Sequence, residues 1–331
     1  MRMEAEFIER LKARGLEDAE IQSSLRRVEA LGEALASRDS SLERPSPEIV
    51  EAWISGMVEG GEPAAELLLS LARYFALTRE TALAIRLLAY LSPIGILPSM
   101  SGRLASLEGG AVRDRVMGRL AIPPEGSPPE AYPAATAGFV KALEEELGRD
   151  RAGKVLAWNV HGIPTEAFAK ERERFLELGS VDGWLLDYHL REVEILQKHA
   201  DEGTLWFEQR ITQEVVDFVR GRQEIMSGTR TGDTIYMTKI PYDPDGWLRS
   251  ADPLERRKLA CHCPLAVSSI TPEGAGVPPL WCACSAGFTK FRFDVVFGEE
   301  TEAVAVDSVL AGDDMCRFAV KIPGSVMAWA V

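Results

Sequence analysis

The chain has 331 residues, a net charge of −14 and an isoelectric point near 4.9. No Lys/Arg stripe interrupts that acidity, so nucleic acid is not an expected partner. Hydrophobic residues at 46% and charged residues at 27% are the balance of a globular protein in water, and the length calls for two domains rather than one core.

The opening run Met1 to Glu6 carries acids where a secretion signal needs an apolar stretch, so no signal is expected. Ile21, Leu25, Val28, Leu31 and Leu35 recur at steps of three and four and predict one buried helical face. Ser46-Pro47-Glu48 reads as a helix start. Pro63 to Tyr90 reads as a central helix pair with Thr78 capping between them. Leu83 to Leu97 is the most apolar stretch, but it carries Arg86 and Pro93, so a buried helix is expected and not a membrane span.

Residues 122–133, IPPEGSPPEAYP, hold five prolines and read as a linker. The expected organisation is a helical domain over 1–121, a Pro-rich linker over 122–134 and a cysteine-rich α+β domain over 135–331. Four more helices are expected, over 139–147, 166–178, 181–200 and 212–225. Residues 234–240, TIYMTKI, predict a strand ended by Pro241. Asp252-Pro253 starts a short helix to Ala260, and Ser285 to Phe297 predicts a helix stopped by Gly298. Strands over 301–310 and 316–322 complete a small antiparallel sheet, with Cys316, Phe318, Val320 and Ile322 sharing the inner face. The fold class is therefore α+β, a helical N-terminal domain followed by a small sheet packed by helices.

All five cysteines lie from position 261 onward: CHCP at 261–264, CACS at 282–285 and Cys316. Their odd number suits reduced thiols in the cytoplasm better than disulfides. Thiolates are soft ligands, so Cys261, Cys263, Cys282, Cys284 and Cys316 are candidate ligands for zinc or, alternatively, an iron–sulfur cluster. Reactive thiols without metal and plain core cysteines remain open. Cys282 and Cys284 precede a helix, and a helix N-terminus lowers a thiol pKa, which makes Cys284 a candidate nucleophile.

The run from Cys282 to Phe318, CACSAGFTKFRFDVVFGEETEAVAVDSVLAGDDMCRF, resembles the C-terminal motif of the 4-vinyl reductase-type small-molecule-binding domain. The GDDMCRF ending is similar to that of L-2-amino-thiazoline-4-carboxylic acid hydrolase-like proteins. CHCP together with CxCSAGF is similar to an uncharacterised family found largely in anaerobic bacteria. The first resemblance implies zinc beside an aromatic ligand pocket, with Cys282 and Cys316 as its outer cysteines. Two further ligand positions of that motif fall on Ala305 and Ser308, so the extra thiols Cys261, Cys263 and Cys284 would have to replace them.

Upstream of the cysteines, Glu208, Arg210, Arg230, Asp233, Lys239 and Tyr242 stand among aromatics. A cation near aromatic walls holds a carboxylate or phenolate, so Arg230, Lys239 and Tyr242 are candidate substrate-binding residues. His161 reads as a turn residue, and His189, Arg191 and His199 as parts of solvated helix faces. No phosphate-loop, dinucleotide, nucleophile-elbow or HExxH motif is present.

Two functions are expected. The first is a thiolate-metal or cysteine-dependent hydrolase, and the similarity to aminothiazoline-carboxylate hydrolase-like proteins implies a small C–N or C–S compound as its substrate. The second is a ligand-binding or sensing module with structural zinc. In both, the partner is a small, aromatic or heterocyclic molecule, and the helical domain could pair two copies of the chain; neither needs a membrane.

Overall fold

The computed structural model describes residues 3–330. The chain divides into two compact units. One comprises the described residues up to Ile94 together with Ile122–Tyr132; the other comprises Gly95–Ala121 and the described residues from Pro133 onward.

The first unit is built from α1 (Glu4–Ala13), α2 (Asp18–Ala36), α3 (Pro47–Glu59), α4 (Ala64–Thr78) and α5 (Thr81–Leu91). The expected face of α2 is buried throughout: Ile21, Leu25, Val28, Leu31 and Leu35 join Phe7, Leu67, Leu71 and Phe75 in one core. Each such side chain contributes about 1.5–3 kcal/mol on leaving water. Ser46 Oγ accepts from Ile49 N at 3.4 Å, the expected cap. Thr78 is not a cap. It ends α4 and bonds back to Phe75 O at 3.3 Å, while Arg79 at φ 67° makes the turn.

The Pro-rich segment belongs to this unit. Arg86 grips Glu51 at 2.9 Å and Glu130 at 2.8 Å, and Tyr132 Oη donates to Pro124 O at 3.2 Å. The run Thr81–Glu108 is, by length and composition alone, apolar enough to cross a membrane. Gly95 at φ 80° interrupts it, and Leu83, Leu87 and Tyr90 lie in the first unit's core.

The second unit opens with α6 (Ile96–Glu108), α7 (Gly110–Met117), α8 (Pro133–Leu147), α9 (Arg149–Leu156), α10 (Ala169–Leu178) and α11 (Val181–Glu202). A hairpin of β1 (Leu205–Trp206) and β2 (Gln209–Arg210) leads to α12 (Gln213–Arg220). Next come β3 (Thr229–Thr231), β4 (Thr234–Thr238), α13 (Pro244–Arg249) and α14 (Pro253–Ala260). A minor hairpin of β5 (Ile270–Thr271) and β6 (Gly274–Ala275) precedes α15 (Ala283–Phe297), β7 (Ala303–Asp307), β8 (Arg317–Lys321) and α16 (Gly324–Met327).

The main sheet is antiparallel throughout, in the order β3-β4-β8-β7. Ile235 pairs with Val320 and Met237 with Phe318, and strand alternation sends these side chains to one face. That face packs against Trp184 and Leu185 of α11 and Phe293, Val296 and Phe297 of α15. The class is α+β, with the sheet covered by helices. Gly298 at φ 78° ends α15, as the sequence predicted. Gly287 lets α15 approach the turn after α9: a Cβ there would lie 2.2 Å from Trp158 N.

Candidate functional site: an aromatic cavity beside the thiols

Sheet alternation carries Ile235, Met237 and then Lys239 onto the face under α15, while Phe288, Thr289 and Arg292 share the facing side of that helix. Between them lies a cavity of about 350 Å³. Its apolar walls include Phe168, Trp206, Phe207, Met226, Met237 and Phe288. Phe207 sits in the β1–β2 turn at φ 51°, 80% exposed, with its ring 4.8 Å from that of Trp206. A bulky residue held in the left-handed region, with its ring in water at a cavity rim, is strained.

Four charged side chains line this space, and three are partnered inside the protein. Glu208 accepts from Tyr242 Oη at 2.9 Å. Glu192 is hydrogen-bonded to Tyr188, and burial raises its carboxyl above the usual range. Arg292 donates to Met226 O at 3.0 Å and Ser227 O at 3.3 Å, and lies 4.4 Å above the Tyr188 ring. Lys239 is the exception. Its Nζ has no hydrogen bond or ion pair among the described residues and stands 5.0 Å from the Phe288 ring centre. Burial lowers its pKa, and the nearby thiols Cys316, Cys263, Cys261 and Cys284 act in the opposite direction.

His262 completes the inner wall. Its Nε2 is 2.7 Å from Ile240 O, which makes Nε2 the donor and leaves Nδ1 bare. Burial, reinforced by Lys239, holds the ring neutral with a pKa of about 3. Thr289 Oγ1 and Arg292 Nε are both buried without a partner.

The five cysteines gather behind Lys239, and all are free thiols. The Lys239 amide donates to Cys316 O at 2.9 Å, extending the β4–β8 ladder by one rung. Cys261 ends α14 and Cys263 follows it, where the Trp281 indole N–H donates to Cys263 Sγ at 3.2 Å. Cys282 caps α15, hydrogen-bonded to Cys316 and 2.9 Å from Ser308 Oγ. Ser308 is thus in the thiol cluster, while Ala305 packs with Met237, Ala286 and Phe318.

The helix N-terminus does not activate Cys282 or Cys284. Burial pushes Cys284 up to about 12, and burial with the Cys316 contact raises Cys282 as well. Desolvation of a thiolate outweighs the partial charge of a helix end when the sulfur is walled in. Cys316 is the thiol whose pKa falls, because Cys282 donates a hydrogen bond to it. Among the described residues, no group of three or more His, Cys, Asp or Glu side chains stands at the spacing that holds a metal ion.

Of the residues named from sequence, Lys239 and Tyr242 line the cavity and Arg230 does not. Arg230 pairs with Asp182 at 2.5 Å on the surface. Asp233 pairs with Lys321, and Arg210 lies 3.8 Å from Asp245. His189 is buried, not solvated, between Ser227 Oγ and Arg220 O at 3.4 Å each. Sequence reasoning missed Arg292, Tyr188, Glu192 and His262 as wall residues. The one available signal was the spacing of Phe288 and Arg292, one helical turn apart.

No protein-family model, curated protein or solved structure matches the chain.

Proposed function

We propose that this protein binds a small aromatic or heterocyclic molecule in the cavity between β4 and α15. The supporting observation is the wall itself: aromatic and thioether side chains around about 350 Å³, with polar groups at few points. That volume and lining are typical of small-molecule sites. Trp206, edge-to-face with Phe207 at the rim, supplies an intrinsic reporter. The test is titration with the neutral fluorescent probe N-phenylnaphthylamine. Saturable binding of one probe per chain, with a change in tryptophan emission, is expected; no binding above a denatured control contradicts the reading.

A second reading adds a thiolate-held zinc ion behind the cavity. It draws support from donor chemistry, five reduced thiols gathered near one buried cation, and it requires them to draw closer than they stand. A metal would supply charge that favours thiolates. Elemental analysis of protein purified without oxygen tests it: about one zinc per chain supports a thiolate site, iron with visible absorption points to a cluster, and no metal removes both. Hydrolysis by Cys284 as a free thiol draws no support from a sulfur that burial keeps protonated at neutral pH.

A further inference from the structure

We infer that the natural ligand is a monoanion, an aromatic or heterocyclic carboxylate whose negative charge lies against Lys239 Nζ. This rests on the cavity being a ligand site and adds what kind of ligand it takes.

Charge pairing in the cavity wall singles out Lys239. Glu208, Glu192 and Arg292 each have a partner supplied by the chain, through Tyr242, Tyr188 and the carbonyls of Met226 and Ser227. Lys239 has none among the described residues, although it lies in the same wall. The titratable groups that act most strongly on it are the thiols of Cys316, Cys263, Cys261 and Cys284, and its own charge acts on the imidazoles of His161 and His262. None of them is a carboxylate. An ammonium half-buried in the cavity wall without a counter-charge is costly, and one anionic group arriving with a ligand relieves that cost.

The surroundings fix the ligand's shape as well. Phe288 stands 5.0 Å from the ammonium, so a planar ring carrying a carboxylate can reach Nζ while lying against aromatic walls. The other cation, Arg292, has two carbonyls and a thioether on Nη2 and faces the Glu192 carboxyl electrostatically, so Lys239 is the cation left to pair a ligand's anionic group.

Naphthoate, naphthamide and naphthylmethylamine share a ring system and differ in charge. Each is used to displace N-phenylnaphthylamine from the wild type, Lys239→Met and Lys239→Arg, with circular dichroism confirming the fold. In the wild type, naphthoate is expected to displace the probe about tenfold more effectively than naphthamide, the worth of one charge-assisted hydrogen bond. Naphthylmethylamine ranks last. Lys239→Met removes the preference and Lys239→Arg keeps most of it. Equal displacement by naphthoate and naphthamide in the wild type, or an undiminished preference in Lys239→Met, overturns the inference while leaving the cavity reading standing. Should Lys239→Met not fold, the wild-type comparison still decides. Failure of the neutral probe itself to bind removes both.

Discussion

Lys239 Nζ lies 5.0 Å from the centre of the Phe288 ring, so the residue just past β4 meets the first turns of α15 through a cation facing an aromatic side chain. Such a contact is worth about 0.5–2 kcal/mol, well below the cost of burying an ammonium with no counter-charge. An ionisable amine is held there at a net loss to stability, and such losses cluster at functional sites.

Lys239→Met should therefore stabilise the ligand-free protein, by about 1–3 kcal/mol at neutral pH, read from the denaturant midpoint. The pH dependence carries a sign. The folded pKa of Lys239 is lowered from its ordinary 10.5, so the unfolded chain holds this proton more tightly. The penalty is full below the folded pKa and disappears as pH rises towards 10.5. The raised thiols act oppositely: their contribution is present below the ordinary 9.0 and is lost at higher pH, through about 12 for Cys284. Subtracting the Lys239→Met curve from the wild type isolates the lysine, and the gap should narrow with rising pH. A constant gap contradicts the assignment.

Gly287→Ala should lose about 3 kcal/mol or more, because its Cβ meets backbone atoms of Trp158 at 2.2 Å and Ala157 at 2.5 Å, and backbone cannot rotate away. Gly153→Ala, in helix α9, has only Leu280 Cδ1 at 3.7 Å and should gain about 0.5–1 kcal/mol. Urea denaturation of the pair checks both directions.

Phe207→Gly separates stability from binding. Relief of the left-handed backbone at φ 51° should leave the melting temperature unchanged or slightly higher, since the lost ring is mostly in water. The same change removes a wall of the cavity, so N-phenylnaphthylamine should bind several-fold more weakly. A large fall in melting temperature would assign Phe207 to packing instead.

Thiol labelling tests the ionisation pattern. In the native state at pH 7.5, Cys284 should react with iodoacetamide far more slowly than in urea, since burial keeps it protonated. Cys316 should be the fastest native thiol, and Cys282→Ser should slow it by weakening the hydrogen bond that favours its thiolate. Mass mapping after timed quenching reads both; fast labelling of Cys284 refutes this.

Periodic features were legible in the sequence. The face of α2, the Ser46 cap, the Gly298 stop and the inward row of Cys316, Phe318, Val320 and Ile322 each depend on spacing or local chemistry. The crowding of the cysteines was legible too, as two C-x-C pairs and an inward-facing Cys316 near the end of the sequence. What depends on distant packing was not. The Pro-rich segment read as a linker because proline blocks helix, yet Arg86 and Glu130 tie it into the first unit. The sign of the Cys284 shift depends on burial, which no local pattern encodes. Arg230 and Lys239 looked alike in sequence, and only the sheet's position distinguishes a surface ion pair with Asp182 from an unpaired cation in a cavity.

The most direct test of a small-molecule site is N-phenylnaphthylamine titration of the wild-type protein, followed by naphthoate displacement. One saturable site that empties with naphthoate about tenfold more readily than with naphthamide is the predicted result. Absence of saturable binding would contradict the account.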